Sequence, residues 1–125
     1  PETLRPLIGN RVYGCDDCQL VCPWNRFAQT SGEADFAVRN GLDDVMLTEL
    51  FGWNANDFND RLRGSAIHRI GHERWLRNIA VGLGNVPAGS TSAAAALAAL
   101  RARADAASVL VREHVAWAIR RLTGA

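Results

Sequence analysis

Three cysteines that fall within eight residues are the part of this sequence best suited to chemistry. Cys15, Cys18 and Cys22 are separated by two and then three residues, and Pro23 follows the last of them. Cysteine thiolates are soft ligands that bind zinc and build iron-sulfur clusters. An odd number of closely spaced cysteines does not form the long-loop bridges that stabilise secreted domains. The segment therefore predicts a metal centre rather than a disulfide framework.

The spacing of the cysteines distinguishes between the candidate metals. Bacterial ferredoxins carry the run C-x2-C-x2-C-x3-C-P, and this chain matches its last three cysteines, with Val12 in place of the first. Two 4Fe-4S clusters require eight thiolates, so the remaining ligands would have to lie outside this chain. Zinc is the alternative, with His68 or His72 as a fourth ligand, although zinc sites do not require a third cysteine followed by proline. We favour the iron-sulfur interpretation.

Charge is distributed unevenly along the chain. Residues 61–125 carry ten arginines and three acidic residues, whereas residues 42–60 carry five acidic residues and no basic one. The chain contains no lysine, so every cationic side chain is a guanidinium, which can bind a phosphate through two hydrogen bonds. A bias in codon composition is the other explanation for the missing lysines. The basic second half predicts an anionic partner such as nucleic acid.

Hydrophobic periodicity predicts a mainly α-helical chain without strands. We expect a short helix around 45–51, a second that Asn54 caps, and a long one over 72–84. Ser92 is expected to cap a helix over 93–104, and Ser108 or Asp105 to cap the last one. Residues 1–13 contain two prolines and a glycine and are predicted to be an extended lead-in. The helices together resemble paired helical repeats, in which each pair buries its apolar face against the next.

The aromatic and histidine residues of these helices are expected to be structural. Trp53, Trp75 and Trp117 are predicted to lie in the core. His68, His72 and His114 are expected to be surface or capping groups rather than catalytic groups. With 125 residues and 48% apolar content the chain can bury a core of its own. No stretch of eighteen apolar residues and no secretion signal is present, so we expect a cytoplasmic protein that does not enter membranes.

Several stretches of the sequence resemble the C-terminal part of the epoxyqueuosine reductase family. They cover nearly the whole chain, and the resemblance is weakest between residues 89 and 107. The stretches are RPLIGNR at 5–11, YGCDDCQ at 13–19, CPWN at 22–25, GSAIHRIG at 64–71, RWLRN at 74–78 and LGN at 83–85.

This resemblance implies an oxidoreductase that uses cobalamin and two 4Fe-4S clusters to reduce epoxyqueuosine to queuosine in tRNA. Residues 1–41 would be the last part of a ferredoxin-like module with its linker, and residues 42–125 a HEAT-like helical domain. Cys15 and Cys18 would ligate one cluster and Cys22 the other. The catalytic acid and the cobalamin contacts would lie before this chain, so no residue within it is expected to be catalytic.

The same resemblance implies a set of partners. The helical domain would hold the anticodon loop of tRNA, an electron donor would supply the electrons, and the enzyme would be a monomer. Our candidates for the tRNA surface are Arg69, Arg74, Arg77, Arg112 and Arg120. As an isolated piece, the chain is predicted to be inactive.

Two other functions fit parts of the sequence. Other corrinoid iron-sulfur enzymes, such as reductive dehalogenases, share the cysteine spacing but should lack the basic helical tail. A helical-repeat binding module with a zinc-type cysteine site would need no enzymatic activity. Salt-sensitive binding to tRNA would separate the first alternative from our interpretation, and the absorbance of an iron-sulfur cluster would exclude the second.

Overall fold

The computed structural model describes residues 1–124 and shows a helical protein in which no strand occurs within those residues. Seven α-helices are present in these residues: α1 (Arg5–Ile8), α2 (Asp17–Leu20), α3 (Leu47–Gly52), α4 (Ala55–Leu62), α5 (Gly71–Gly84), α6 (Thr91–Arg101) and α7 (Val109–Thr123). A 3-10 turn, Glu2–Leu4, precedes α1, and three more lie between the helices: Pro23–Phe27, Ala34–Phe36 and Ile67–Ile70. The predicted mainly α fold is thus confirmed, while the ferredoxin-like and HEAT-like parts of that prediction stay predictions.

Helix boundaries follow the local sequence closely. Asn54 caps α4 by accepting hydrogen bonds from the backbone amides of Asn56 and Asp57, and the Asp57 carboxylate accepts one from the Asn54 amide in return. This reciprocal arrangement is a capping box, and it satisfies amides that the helix leaves without partners. The side chain of Ser108 caps α7 in a similar way by accepting from the amide of Val111.

Two details differ from the sequence prediction. The helix predicted over 93–104 is α6, which starts at Thr91 with Ser90 rather than Ser92 at its N-cap and ends at Arg101. Residues 1–12, called the lead-in from here on, form a 3-10 turn and the single turn α1 instead of the extended segment predicted over 1–13, because Pro6 is accommodated in the first turn of a helix. Gly9 then ends α1 with a φ of 64°, a left-handed conformation that glycine adopts without strain.

The core lies entirely in the second part of the chain. Every fully buried apolar side chain of the described residues falls between Leu50 and Ala118, and the most extensive helix contact is between α5 and α7. Trp53, Trp75 and Trp117 all belong to this core, as predicted, with exposures of 5%, 3% and 6%. None of the helices in residues 1–124 is long and apolar enough to cross a membrane.

Large apolar side chains are exposed in the segment that follows the lead-in. Residues 13–41 contain no fully buried residue. Leu20, Val21, Trp24 and Phe36 are between 74% and 79% exposed. The cysteine segment is therefore held in place by its own turns and by its connection to the lead-in, and not by a core of its own.

Candidate metal centre and nucleic-acid interface

A tight turn presents Cys15 at the surface. The residues on either side of it, Gly14 and Asp16, both have positive φ angles, of 64° and 53°. Glycine and, less often, aspartate tolerate this left-handed region. The Asp16 carbonyl then accepts hydrogen bonds from the amides of Gln19 and Leu20, which starts α2 immediately after the turn. This short helix carries Cys18, which is also exposed.

Pro23 sets the backbone at the third cysteine. It occupies the first position of the 3-10 turn Pro23–Phe27, and Cys22 stands at the N-cap with φ −70° and ψ 119°. The residue before a proline is restricted to such extended conformations. Cys22 is half-buried, and none of the three cysteines forms a disulfide.

The chemistry of these three thiols fits part of an iron-sulfur ligand set. They are free, they lie in turns and in the short helix α2 rather than in a packed core, and Cys15 lines a cavity of about 330 Å³ together with Arg11, Tyr13 and Asn78. Within residues 1–124, however, no group of three or more His, Cys, Asp or Glu side chains is close enough to hold a metal ion. The three thiols are therefore not gathered into a metal site by the described residues alone.

The histidines that a zinc site would need have other partners. His72 Nε2 lies 2.9 Å from the carbonyl oxygen of Trp53, and His68 Nε2 lies 3.1 Å from Oδ1 of Asn59. Both rings also pack against Phe58, each at 5.7 Å between centroids. His114 is likewise half-buried, with Nδ1 2.8 Å from the carbonyl oxygen of Leu110. All three histidines are thus half-buried and bonded within the fold, whereas the sequence led us to expect surface or capping positions.

The five candidate arginines fall into two groups. Arg69 and Arg74 are exposed, and the side chain of neither makes a hydrogen bond or an ion pair with another residue of the described chain. Arg69 lies in the turn Ile67–Ile70, and Arg74 lies in the first half of α5. Both guanidinium groups keep their full set of donors for an external anion.

The other three candidates already have partners. Arg112 donates to the carbonyl oxygens of Ala106 and Ala107, at 2.6 and 2.9 Å, and so closes the turn before α7. Arg120 forms a long, exposed ion pair of 3.4 Å with Glu2. Arg77 is half-buried and donates from Nε and Nη2 to Oδ1 of Asn78, at 3.0 and 2.8 Å. These arginines are therefore less free to bind phosphate than Arg69 and Arg74.

Two asparagines that the sequence did not single out connect α5 to the lead-in. Asn78 Nδ2 donates to the carbonyl oxygen of Val12 at 2.8 Å. Asn85 Nδ2 donates to the carbonyl oxygens of Arg5 and Gly9, at 2.8 and 2.9 Å. The sequence feature that could have identified them is the position of two asparagines within or directly after an apolar helix, where a buried side-chain amide requires a hydrogen-bond partner.

Curated proteins named epoxyqueuosine reductase are similar to this chain over almost all of its length. The relative from Burkholderia pseudomallei is 64% identical over 96% of the chain, and the match covers 31% of that relative. The Pseudomonas aeruginosa protein is 59% identical over 97% of the chain, and the Escherichia coli protein 56% over 95%, with 32% and 30% of the relatives covered. No family model matches the chain, and no solved structure does. The predicted resemblance is confirmed, and the chain spans about a third of the length of the relatives it matches.

Proposed function

We propose, from this similarity to epoxyqueuosine reductases, that the chain works as the iron-sulfur and tRNA-binding portion of such an enzyme. The complete enzyme would be an oxidoreductase that reduces epoxyqueuosine to queuosine in tRNA. The observation that carries the proposal is identity of 56% to 64% with three of these proteins over at least 95% of the chain. The matches cover at least 95% of the chain and therefore extend over the cysteine segment as well as the helical core.

Cys15 and Cys18 would be ligands of one 4Fe-4S cluster, and Cys22 would be a ligand of a second. Each cluster would be completed by cysteines from the part of the relatives' length that this chain does not match. When bound, the clusters supply one-electron transfer and cobalamin supplies the reductive chemistry. The described residues hold the three thiols in position. Turns at Gly14, Asp16 and Pro23 keep the thiols at or near the surface, and α5 holds the lead-in that precedes the cysteines.

Two cavities lie among the described residues, and neither fits cobalamin. They measure about 800 and 330 Å³, the range of drug-sized ligands rather than of a corrinoid with its nucleotide. Neither cavity is lined by a histidine. We propose that the contacts to cobalamin lie in the rest of the enzyme, and that this chain serves the clusters and the tRNA.

The nucleic-acid surface would centre on Arg69 and Arg74, because their guanidinium groups have no other partner in the described chain. Several such contacts to phosphate give affinity without reading the base sequence. Arg77, Arg112 and Arg120 would contribute less, since each already bonds within the fold. We propose that this surface receives the anticodon loop of tRNA, and that the enzyme acts as a cytoplasmic monomer with a separate electron donor.

The test is direct conversion of the modified nucleoside. A full-length protein that contains this chain is reconstituted with iron, sulfide and cobalamin and is incubated with tRNA carrying epoxyqueuosine and a reductant. Nucleoside mass spectrometry should show loss of epoxyqueuosine and gain of queuosine. The matched control is the same protein without cobalamin. Absence of queuosine from the reconstituted protein, with both clusters present, would disprove the proposed activity.

A further inference from the structure

The lead-in is attached to the helical core mainly through polar contacts, and most of them come from α5 and the residue after it. Asn85 bonds the carbonyl oxygens of Arg5 and Gly9, and Asn78 bonds that of Val12. These three bonds are spread along the lead-in, from α1 to its last residue. Cys15 follows Val12 by three residues, a reach of roughly 10 Å along an extended chain.

Arg5 attaches the start of the lead-in to α7 separately. Its guanidinium forms an ion pair with Glu113 at 2.7 Å and lies over the ring of Trp117, 5.5 Å from the centroid. The end of the lead-in that is nearest to Cys15 has no ion pair with the helical core in the described chain. At that end, the hydrogen bond from Asn78 to Val12 is the polar contact that the helical core supplies in the described residues.

The side chain of Arg77 orients the Asn78 amide. Two guanidinium N–H groups of Arg77 donate to Oδ1 of Asn78, and the amide nitrogen therefore faces the carbonyl oxygen of Val12. Oxygen and nitrogen of an asparagine amide differ in their roles, since only the nitrogen donates. The contacts with Arg77 and with Val12 thus require the same orientation of the Asn78 amide. Arg77 therefore acts on the backbone of the lead-in through the side chain of Asn78.

Packing alone attaches the lead-in weakly. Leu7 is 75% exposed, and of the apolar residues of the lead-in only Val12 packs against the buried core. Cavities adjoin it on two sides: Gly9 and Asn10 line the one of about 800 Å³, and Ile8 and Val12 line the one of about 330 Å³. With so little apolar area buried, the polar bonds determine where the lead-in lies.

We infer that Asn78 and Asn85 are positioning residues for the cysteine segment, because they fix the lead-in on α5 and thereby fix the distance of Cys15 from the helical core. The inference rests on the proposed function in one respect, namely that Cys15 ligates a cluster. Neither asparagine touches substrate or cofactor in this assignment. Their effect passes through the backbone of residues 5–12.

Attachment of the lead-in is tested by limited trypsin digestion of the full-length protein, with fragments identified by mass. Cleavage after Arg11 requires the lead-in to detach, so its rate follows the detached population when opening is fast. Loss of one net hydrogen bond should increase that rate about two- to tenfold in Asn78→Ala. Asn85→Ala should increase it more, because two bonds are lost. The isosteric Asn78→Asp keeps the acceptor for Arg77, loses the donor to Val12 and should behave like Asn78→Ala.

Asn56→Ala is the matched control, since the side chain of this exposed α4 residue makes no hydrogen bond in the described chain. It should leave cleavage after Arg11 unchanged. A rate in Asn78→Ala and Asn78→Asp equal to that of Asn56→Ala would overturn the inference. Circular dichroism of each variant shows whether the helical core is intact. If Asn78→Ala does not fold, the test uses Asn78→Asp, which keeps the size of the side chain.

A second readout separates positioning from general stability. The electron paramagnetic resonance spectrum of the reduced holoenzyme should change in Asn78→Ala, while the melting temperature of Asn56→Ala and its spectrum stay at the parental values. An unchanged spectrum in Asn78→Ala with a detached lead-in would overturn the assignment to the cluster. If the parental protein binds no iron but the trypsin result holds, the proposed function fails and the anchoring of the lead-in stands.

Discussion

Gly84 of α5 lies so close to Trp117 of α7 that a Cβ atom built on the glycine would be 2.7 Å from Cζ3 of the tryptophan. The same atom would lie 2.8 Å from Cβ and 2.9 Å from Cα of Ala118. Real Cβ atoms do not approach other heavy atoms so closely, and two of these neighbours cannot rotate away. Glycine is needed at this position for the approach of two helices, and small residues on both of them bring α5 and α7 into contact.

Replacing this glycine should separate the two helices. Gly84→Ala is expected to lower the free energy of unfolding by about 1–3 kcal/mol, the usual cost of overpacking a core. Gly52→Ala is the control, because a Cβ atom at Gly52, the last residue of α3, meets nothing within 4 Å. It should be neutral or slightly stabilising, since alanine favours helices over glycine by up to about 1 kcal/mol. Urea unfolding followed by circular dichroism measures both, and equal stabilities would contradict the packing argument.

The helix caps provide a second pair of variants. Asn54→Ala removes a capping side chain that accepts two backbone amides, and should cost about 1 kcal/mol of stability. Ser90 stands at the N-cap of α6 but makes no capping hydrogen bond there, so Ser90→Ala should cost much less. Thermal unfolding distinguishes them. A larger loss in Ser90→Ala than in Asn54→Ala would show that the caps do not act as described.

His114 should make stability depend on pH. Burial lowers its pKa below the ordinary value of 6.5, although its hydrogen bond to the Leu110 carbonyl acts in the opposite direction. The unfolded chain therefore takes up a proton near pH 6.5 that the folded chain still excludes, so stability is full above that pH and falls as the pH is lowered through it. His114→Gln should flatten this decline between about pH 7 and pH 5.

A separate decline at lower pH should come from Glu113. The hydrogen bond from Arg5 lowers the pKa of its carboxyl below 4.5, so this contribution is present above pH 4.5 and is lost below it. His114 lies 2.7 Å from the other carboxylate oxygen of Glu113 and is a smaller cause of the lowered pKa than Arg5, so most of the acidic decline should persist in His114→Gln. Urea unfolding at a series of pH values tests both statements, and an unchanged slope near pH 6 in the variant would contradict the assignment to His114.

Local features of the helical part could be predicted from the sequence, while contacts between distant residues could not. Asn54 and Ser108 cap α4 and α7 as expected, and the three predicted core tryptophans are buried, because capping and periodicity act over a few residues. The bond from Asn78 to Val12 spans 66 positions, and nothing near either residue indicates it. Likewise, the sequence identified a cluster of arginines but did not show that Arg77 and Arg112 bond within the fold.

The cysteine assignment predicts which cluster each substitution affects. In the full-length protein, Cys15→Ser and Cys18→Ser should each destabilise one 4Fe-4S cluster, and combining them should cost little more than either alone, because both act on the same group. Cys22→Ser should affect the other cluster, so adding it to Cys15→Ser should give a further loss of iron. Iron and sulfide analysis with absorbance near 400 nm measures this. Losses that simply add for Cys15 and Cys18 would contradict their shared cluster.

The free arginines should dominate binding of tRNA. Arg69→Gln and Arg74→Gln remove guanidinium groups that have no partner in the described chain. Each substitution should weaken binding by a similar factor for all tRNAs. Each should also reduce the slope of log K against log salt concentration by about one unit per lost phosphate contact. Arg63→Gln is the matched control, since this exposed arginine already pairs with Asp60 at 3.5 Å. Arg112→Gln should instead reduce stability, because its guanidinium holds the turn before α7. Filter binding over a range of salt concentrations gives the slopes. If Arg63→Gln reduced the slope as much as Arg74→Gln, charge alone would explain binding and the proposed surface around Arg69 and Arg74 would be wrong.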